Sequence, residues 1–162
     1  MENMNELIAA IEAMDPEILG GAALAISAIV AITALVGLVR YLMTAIGYSK
    51  MYRKAGEAGW KAFIPVYNTY NNYKISWTGK FFFLSAALYI LVTALSNSAM
   101  LAAQLAVIAA GIALMVVTVK QNVKMAKLFG KGAGTGIALI FFPGITSLIL
   151  GMGKAEFQAE NN

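Results

Sequence analysis

The chain of 162 residues has no cysteine and no histidine. The absence of cysteine excludes disulfides and thiol nucleophiles, and the absence of histidine removes the most common general base and the most common ligand of zinc and haem. Charged residues are also scarce, at 12% of the chain, against about 25% in soluble domains. We therefore expect no catalytic residues, no metal, no cofactor and no enzymatic activity.

Hydrophobic residues make up 60% of the chain, and the mean hydropathy is +0.73. A helix needs about 20 apolar residues to cross the roughly 30 Å hydrocarbon layer of a membrane. Two uncharged runs have that length and two are shorter; they cover residues 18–39, 99–119, 81–95 and 137–152. The pattern predicts one all-α integral membrane domain, residues 1–162, with four transmembrane helices.

The basic residues are placed unevenly along the chain. Eleven of the twelve lysines and arginines lie in residues 40–80 and 120–134, whereas the tail before the first run holds five acidic residues and no basic one. Because basic loops stay in the cytoplasm, the two basic segments are predicted to be cytoplasmic. With four crossings, both termini would then lie outside the membrane.

Two long helices are predicted to extend beyond the membrane. Asp15 and Pro16 have the form of a helix start, and Gly56 that of a helix stop. The third helix should continue to Phe129. Ahead of the first run, the apolar residues from Met4 to Met14 recur at helical spacing, which predicts a short amphipathic helix.

Lysines at inner-leaflet height attract anionic lipid headgroups. Four of them are spaced to share one face of the third helix, and a basic pair ends the first helix; the predicted lipid or anion contacts are Arg53, Lys54, Lys120, Lys124, Lys127 and Lys131. These residues could instead only fix the orientation of the chain. The placement of charge by topology argues against nucleic acid as a partner.

Aromatic and amide residues alternate between the first two runs. Pro65 fits the start of a helix over residues 66–75, which would lie flat at the interface or dip into the bilayer and return. If the segment dips, its side chains would line a polar pocket; the residues concerned are Tyr67, Asn68, Asn71 and Asn72. If it lies flat, it would be an aromatic anchor.

The four runs contain no Asp, Glu, Lys, Arg or His, which argues against ion-coupled transport. Passive permeation stays open, with Gln104 as a polar residue inside a run. Pro143 and Gly144 should kink or break the fourth helix near its middle, and a broken helix can mark a ligand site.

Two stretches carry a family resemblance. They run from Gly59 through Pro65 to Asn68, and from Ala126 through Pro143 to Phe157. Together they resemble a family of small bacterial membrane proteins of unknown function, sometimes fused to signal peptidase I or labelled with that name. The resemblance implies a multi-pass protein of the bacterial cytoplasmic membrane and supplies no catalytic residue.

Three functions are consistent with the sequence. The first is a non-enzymatic membrane protein that forms a homo-oligomer and binds anionic inner-leaflet lipid, or a protein partner, through its basic cytoplasmic face. Small residues recurring in the third run, at Ala102, Ala106 and Ala110, favour close helix contacts within or between subunits. The second is a passive channel or small-solute transporter, and the third is a membrane hydrolase.

Overall fold

The structure, a computed structural model, describes residues 3–6 and 15–158. Within these ranges it is helical and contains no strand. The helices are α1 (Pro16–Lys54), a 3-10 helix (Gly59–Phe63), α2 (Pro65–Ser76), α3 (Lys80–Leu95), α4 (Leu101–Leu128), α5 (Ala133–Phe141) and α6 (Pro143–Met152). The prediction of an all-α chain is confirmed, and two helices, α1 and α4, are long and apolar enough to cross a membrane.

The predicted ends of the long helices are confirmed. The Asp15 carboxylate accepts a hydrogen bond from the Glu17 backbone at 2.9 Å, as expected of a residue that caps a helix. Beyond the ends of α1 and α4, Gly56 and Gly130 adopt φ values of 77° and 67°, a left-handed conformation that favours glycine and stops a helix. Residues 3–6 are helical; the rest of the predicted amphipathic helix lies outside the described residues.

The chain divides into two compact units, residues 1–40 and residues 41–162. The described part of the first unit is dominated by the apolar portion of α1. Its Ser27 and Thr33 hydroxyls donate hydrogen bonds to the carbonyls of Ala23 and Ile29, at 2.7 and 2.8 Å. Each hydroxyl is therefore satisfied within its own helix, as an apolar surrounding requires.

The second unit has its core where the basic segments meet. Helices α3 and α4 pack against each other as a hairpin, and α5 packs against α4. The core is made of buried residues from α1, the 3-10 helix, α4, α5 and α6 and the residue after α4: Tyr48, Met51, Tyr52, Ala62, Met125, Leu128, Phe129, Leu139 and Leu150. By contrast α3 contains no buried residue, so the fully packed interior lies at one end of the unit.

The structure does not confirm residues 137–152 as one membrane-crossing helix, and the predicted break at Pro143 is confirmed. Helix α5 ends at Phe141 and α6 begins at Pro143, because proline lacks the N–H that would continue the helix. The Thr146 hydroxyl donates to the Ala138 carbonyl at 3.1 Å, which links the two short helices across the break. They form a hairpin of two short arms.

The tail after α6 returns to the end of the unit that carries Lys54 and the end of α4. The Gln158 backbone N–H donates to the Leu128 carbonyl at 2.7 Å, and the ring of Phe157 packs edge-on against Phe129 with centroids 5.6 Å apart. The described end of the tail therefore lies beside the end of α4, in the same part of the second unit as the basic residues around it. The predicted placement of the C-terminus outside the membrane stays a prediction.

Two glycines allow α6 to pack closely against the last turns of α1. A Cβ atom on Gly47 would lie 2.6 Å from the Leu148 backbone nitrogen, and one on Gly151 would lie 2.5 Å from the Gly47 carbonyl oxygen. Since real Cβ atoms do not approach backbone so closely, both positions require glycine for this packing.

Substitution Gly151→Val should lower the free energy of unfolding by about 1–3 kcal/mol, because the added side chain overpacks this contact. The measurement is thermal unfolding of the purified protein in detergent, followed by circular dichroism. Gly111→Ala is the matched control, since a Cβ atom there would meet no described atom within 4 Å. Equal unfolding temperatures for the two variants would contradict the packing of α6 on α1.

Candidate functional site

A polar cluster lies at the centre of the core end of the second unit. Tyr52 is fully buried, and its hydroxyl donates toward the Asn68 backbone carbonyl at 2.8 Å and contacts Asn72 Oδ1 at 2.9 Å. It also contacts Asn68 Oδ1. The Asn72 amide donates to that same Oδ1 at 3.3 Å. Two of the predicted pocket residues therefore hold α2 against α1.

Two more amides are buried without a protein partner among the described residues. Both side-chain polar atoms of Asn71 and the Nε2 atom of Gln121 make no hydrogen bond. Asn71 lies on α2 and Gln121 on α4, and these two helices pack against each other. Because a buried polar group without a partner costs about 1–3 kcal/mol, we expect ordered water at these atoms.

The other residues predicted to line a pocket lie elsewhere. Tyr67 is exposed, with its ring edge-on to Trp60 at 5.5 Å between centroids. The Gln104 amide donates to the Ser98 carbonyl at 2.6 Å, roughly 25 Å along α4 from Gln121 at 1.5 Å per residue. The structure thus does not bring Gln104 to the asparagines.

Pro143 and Gly144 occupy the tip of the α5–α6 hairpin. Pro143 is the first residue of α6, and the Gly144 carbonyl accepts a hydrogen bond from the buried Ser147 hydroxyl at 3.1 Å. The predicted permeation site had two parts, the asparagines of α2 and the break at Pro143. The asparagines contact Tyr52, and the break lies at the hairpin tip. The hairpin tip and the asparagine cluster do not share a contact among the described hydrogen bonds.

Lys54 fastens the end of the hairpin. Its ammonium group donates to the carbonyls of Leu150, Gly153 and Ala155, each at 2.8 Å. An ammonium group has three protons, so these carbonyls engage all its donors. The contacts favour a role in capping α6 over the predicted contact with an anion.

Lys124 packs on an aromatic pair. Its ammonium nitrogen lies 5.2 Å from the centre of the Trp77 ring, a distance at which a cation is attracted by the face of an aromatic ring. Trp77 itself stacks on Phe81 with centroids 3.7 Å apart. This contact ties α4 to the link between α2 and α3.

Glu57 forms ion pairs with two further lysines. Its carboxylate oxygens lie 2.6 Å from the ammonium nitrogens of Lys61 and Lys74. Hydrogen bonds from Lys61 and Lys74 hold the pKa of Glu57 below its ordinary value, and the same pairing raises the pKa of Lys74. The triad links the loop after α1 to α2.

The remaining predicted lipid contacts are exposed. Lys120 and Lys127 are exposed on α4, and two turns of helix place them on one face. Lys131 is exposed in the loop after Gly130, so the prediction that it continues the helical stripe is wrong. Arg53 is exposed beside Gly59, where a Cβ atom would lie 2.8 Å from its Nε. We call these four residues the basic face.

Residues 60–160 match a family described as a family of unknown function (DUF5684). The chain belongs to this family. The matched segment takes in α2 to α6 and begins after α1, so Tyr52 and Lys54 of this DUF5684 member lie outside it. No match is found among curated proteins or among solved structures.

Sequence reasoning missed Tyr52, Glu57 and the buried Gln121. A signal for Tyr52 was present, since Ala45, Tyr48, Ser49 and Tyr52 recur at helical spacing and all four are buried. The pairing of Glu57 with Lys74 joins residues 17 positions apart, and no local spacing indicates it.

Substitution Tyr52→Phe should reduce the free energy of unfolding by about 1–3 kcal/mol, since it removes the one buried hydroxyl proton that the oxygens of Asn68 and Asn72 share. Chemical unfolding in detergent, followed by tryptophan fluorescence, measures the change. Tyr67→Phe removes an exposed hydroxyl and serves as the control, with little expected effect. A Tyr52→Phe variant as stable as Tyr67→Phe would show that the cluster does not hold α2.

The Glu57 triad should make stability depend on pH at the acid side. Because the folded-state pKa of Glu57 is lowered from 4.5, its contribution is fully present above pH 4.5 and is lost as the pH falls through the lowered value. Unfolding midpoints measured from pH 7 to pH 3 should therefore fall more for the wild type than for Glu57→Gln. Parallel pH profiles for the two proteins would contradict the pairing.

Proposed function

We propose that this DUF5684 member is a non-enzymatic integral membrane protein that self-associates and binds anionic phospholipid through its basic face. The protein would lie in the cytoplasmic membrane of a bacterium, as the family resemblance implies. Helices α1, α3 and α4 would cross the bilayer, and the α5–α6 hairpin would enter from the cytoplasmic side and return to it. The N-terminus would be outside and the C-terminus inside.

The observation that carries the proposed topology is the return of the tail to the core end. It brings Lys154 close to Lys54, whereas four crossings would place Lys154 outside, apart from the basic segments. Three crossings and a hairpin that enters and returns therefore satisfy the positive-inside rule better than four crossings do.

Contacts within the protein reduce the number of cations that are available to bind lipid. Lys54 is engaged by carbonyls, Lys61 and Lys74 by Glu57, and Lys124 lies over Trp77. From Tyr41 to the last described residue the chain has only Glu57 and Glu156 as acidic residues. The exposed cations of the basic face thus meet few competing carboxylates, which supports an anionic headgroup as the partner.

The alternative of a passive channel or small-solute transporter has less support from the contacts. Asn68 and Asn72 are committed to Tyr52, and Gln104 bonds near the opposite end of α4. An aqueous path would need these groups along one route.

Neutralising Lys120 and Lys127 together should weaken binding of phosphatidylglycerol about thirtyfold, because each lysine near the headgroups contributes on the order of 1 kcal/mol. Native mass spectrometry of the protein in mild detergent measures retained lipid in competition with zwitterionic phosphatidylcholine, and reports the number of subunits at the same time. The tested variant is Lys120→Gln with Lys127→Gln.

A matched control removes two positive charges elsewhere. Lys61→Gln with Lys74→Gln changes the net charge equally, but at residues that already form ion pairs with Glu57. The control should retain phosphatidylglycerol as the wild type does. If both variants lose equal amounts of phosphatidylglycerol, the binding depends only on net charge and the basic face is not the site. If neither variant loses any, lipid binding by the basic face is refuted.

The proposed orientation is testable because the chain has no native cysteine. Single substitutions Lys131→Cys and Lys154→Cys should both react with a membrane-impermeant maleimide only after cells are opened. Asn97→Cys, in the link between α3 and α4, should react in intact cells. Reaction of Lys154→Cys in intact cells would overturn the proposal that the C-terminus is inside.

A further inference from the structure

The segment from the 3-10 helix into α2 exposes several large apolar side chains and buries two polar ones. Trp60 and Val66 are 54% and 65% exposed, whereas Asn71 and Ser76 are 0% and 3% exposed. Phe63, Ile64 and Tyr67 are exposed as well. We call the surface formed by Trp60, Phe63, Ile64, Val66 and Tyr67 the aromatic surface.

This arrangement is the reverse of that in a helix packed at the surface of a soluble protein. There the apolar stripe faces the core and the amides face water. Here the amides face the core, where the Tyr52 hydroxyl contacts Asn68 and Asn72. A contiguous apolar patch of this kind marks contact with a membrane or with another protein.

One hydrogen bond connects the aromatic surface to the membrane boundary. The Tyr41 hydroxyl donates to the Phe63 carbonyl, and Tyr41 follows the uncharged run that ends at Val39 by two residues. Within the second unit, Phe63 is therefore joined to α1 at Tyr41, close in sequence to the end of that uncharged run.

The inner side of the segment fits tightly against the rest of the unit. Ala62 is fully buried, and a Cβ atom on Gly59 would lie 2.6 Å from the Ser49 Oγ. Close packing on this side leaves the opposite side to face outward. The Lys61 and Lys74 charges on the segment are held by Glu57, which reduces their need for an anion.

We propose that the aromatic surface is an interfacial anchor, inserted among the lipid headgroups and upper acyl chains of the cytoplasmic leaflet. The segment lies flat at this depth and does not dip through the bilayer. Tryptophan and tyrosine side chains suit this zone because each has an apolar ring and a polar group. The anchor rests on the proposed membrane location but not on lipid binding by the basic face.

The two tryptophans of the chain, Trp60 and Trp77, allow a depth measurement. Trp77→Phe leaves Trp60 as the only indole, and Trp60→Phe leaves Trp77, which is stacked on Phe81. Each protein is reconstituted into phosphatidylcholine vesicles that carry bromine either near the glycerol end or near the methyl end of the acyl chains. Bromine quenches tryptophan emission on contact.

We expect Trp60 to lose more emission with bromine near the glycerol end than near the methyl end. Trp77 should lose less than Trp60 in both lipids, since it is half-buried beneath Lys124. Greater loss of Trp60 emission with the deep bromine would overturn the shallow anchor, as would equal quenching of the two tryptophans.

Failure of the anchor can be told apart from failure of the membrane location. If Trp60 is not quenched while the protein floats with the vesicles in a density gradient, the anchor is refuted and the membrane location stands. If the full chain does not float with the vesicles, the membrane location fails. Circular dichroism of both variants confirms that they keep the helical content of the wild type.

Discussion

The three hydrogen bonds from Lys54 to carbonyls in the last turn of α6 and just after it are the interaction on which the arrangement of the second unit depends. The last carbonyls of a helix have no partner within it, and at this position a single ammonium group binds Leu150, Gly153 and Ala155. The bonds hold the end of α6 at the end of α1. Together with the glycine contacts of Gly47 and Gly151, they make the fourth apolar run a hairpin that returns.

A returning hairpin explains why polar residues are concentrated at one end of the unit. The segments that meet there lie beyond the apolar parts of the long helices. Their backbone and side-chain polar groups form hydrogen bonds with one another. Tyr52, Glu57 and Lys54 each join parts of the chain that are distant in sequence. The core end is therefore held by polar contacts as much as by apolar packing.

The polar contacts at the core end occupy some cations and leave others exposed. The proposed lipid binding depends on the exposed ones. Glu57 and Trp77 occupy three of the lysines, and the basic face keeps Lys120 and Lys127 on one side of α4. The aromatic surface lies on a different element, the segment from Trp60 to Tyr67. Headgroup charge and interfacial depth would thus be recognised by separate parts of the protein.

The sequence by itself determined the helical class, the long extents of α1 and α4, the start of α2 at Pro65 and the break at Pro143. Each of these depends on local physics: apolar length, the missing N–H of proline, and the conformational freedom of Gly56 and Gly130. Membership in a family of unknown function agreed with the motifs around Pro65 and Phe129. For the candidate site, the sequence pointed to the asparagines and the lysines. It did not indicate which residues they contact.

Only the tertiary structure decided that the fourth run folds back, that Lys54 caps it, and that Asn68 and Asn72 bind Tyr52. These outcomes depend on contacts between residues far apart in the chain, such as Lys54 with Ala155, and a count of apolar residues contains no information about them. The same count cannot tell a crossing helix from two half-length helices that return, because both present similar runs of apolar side chains.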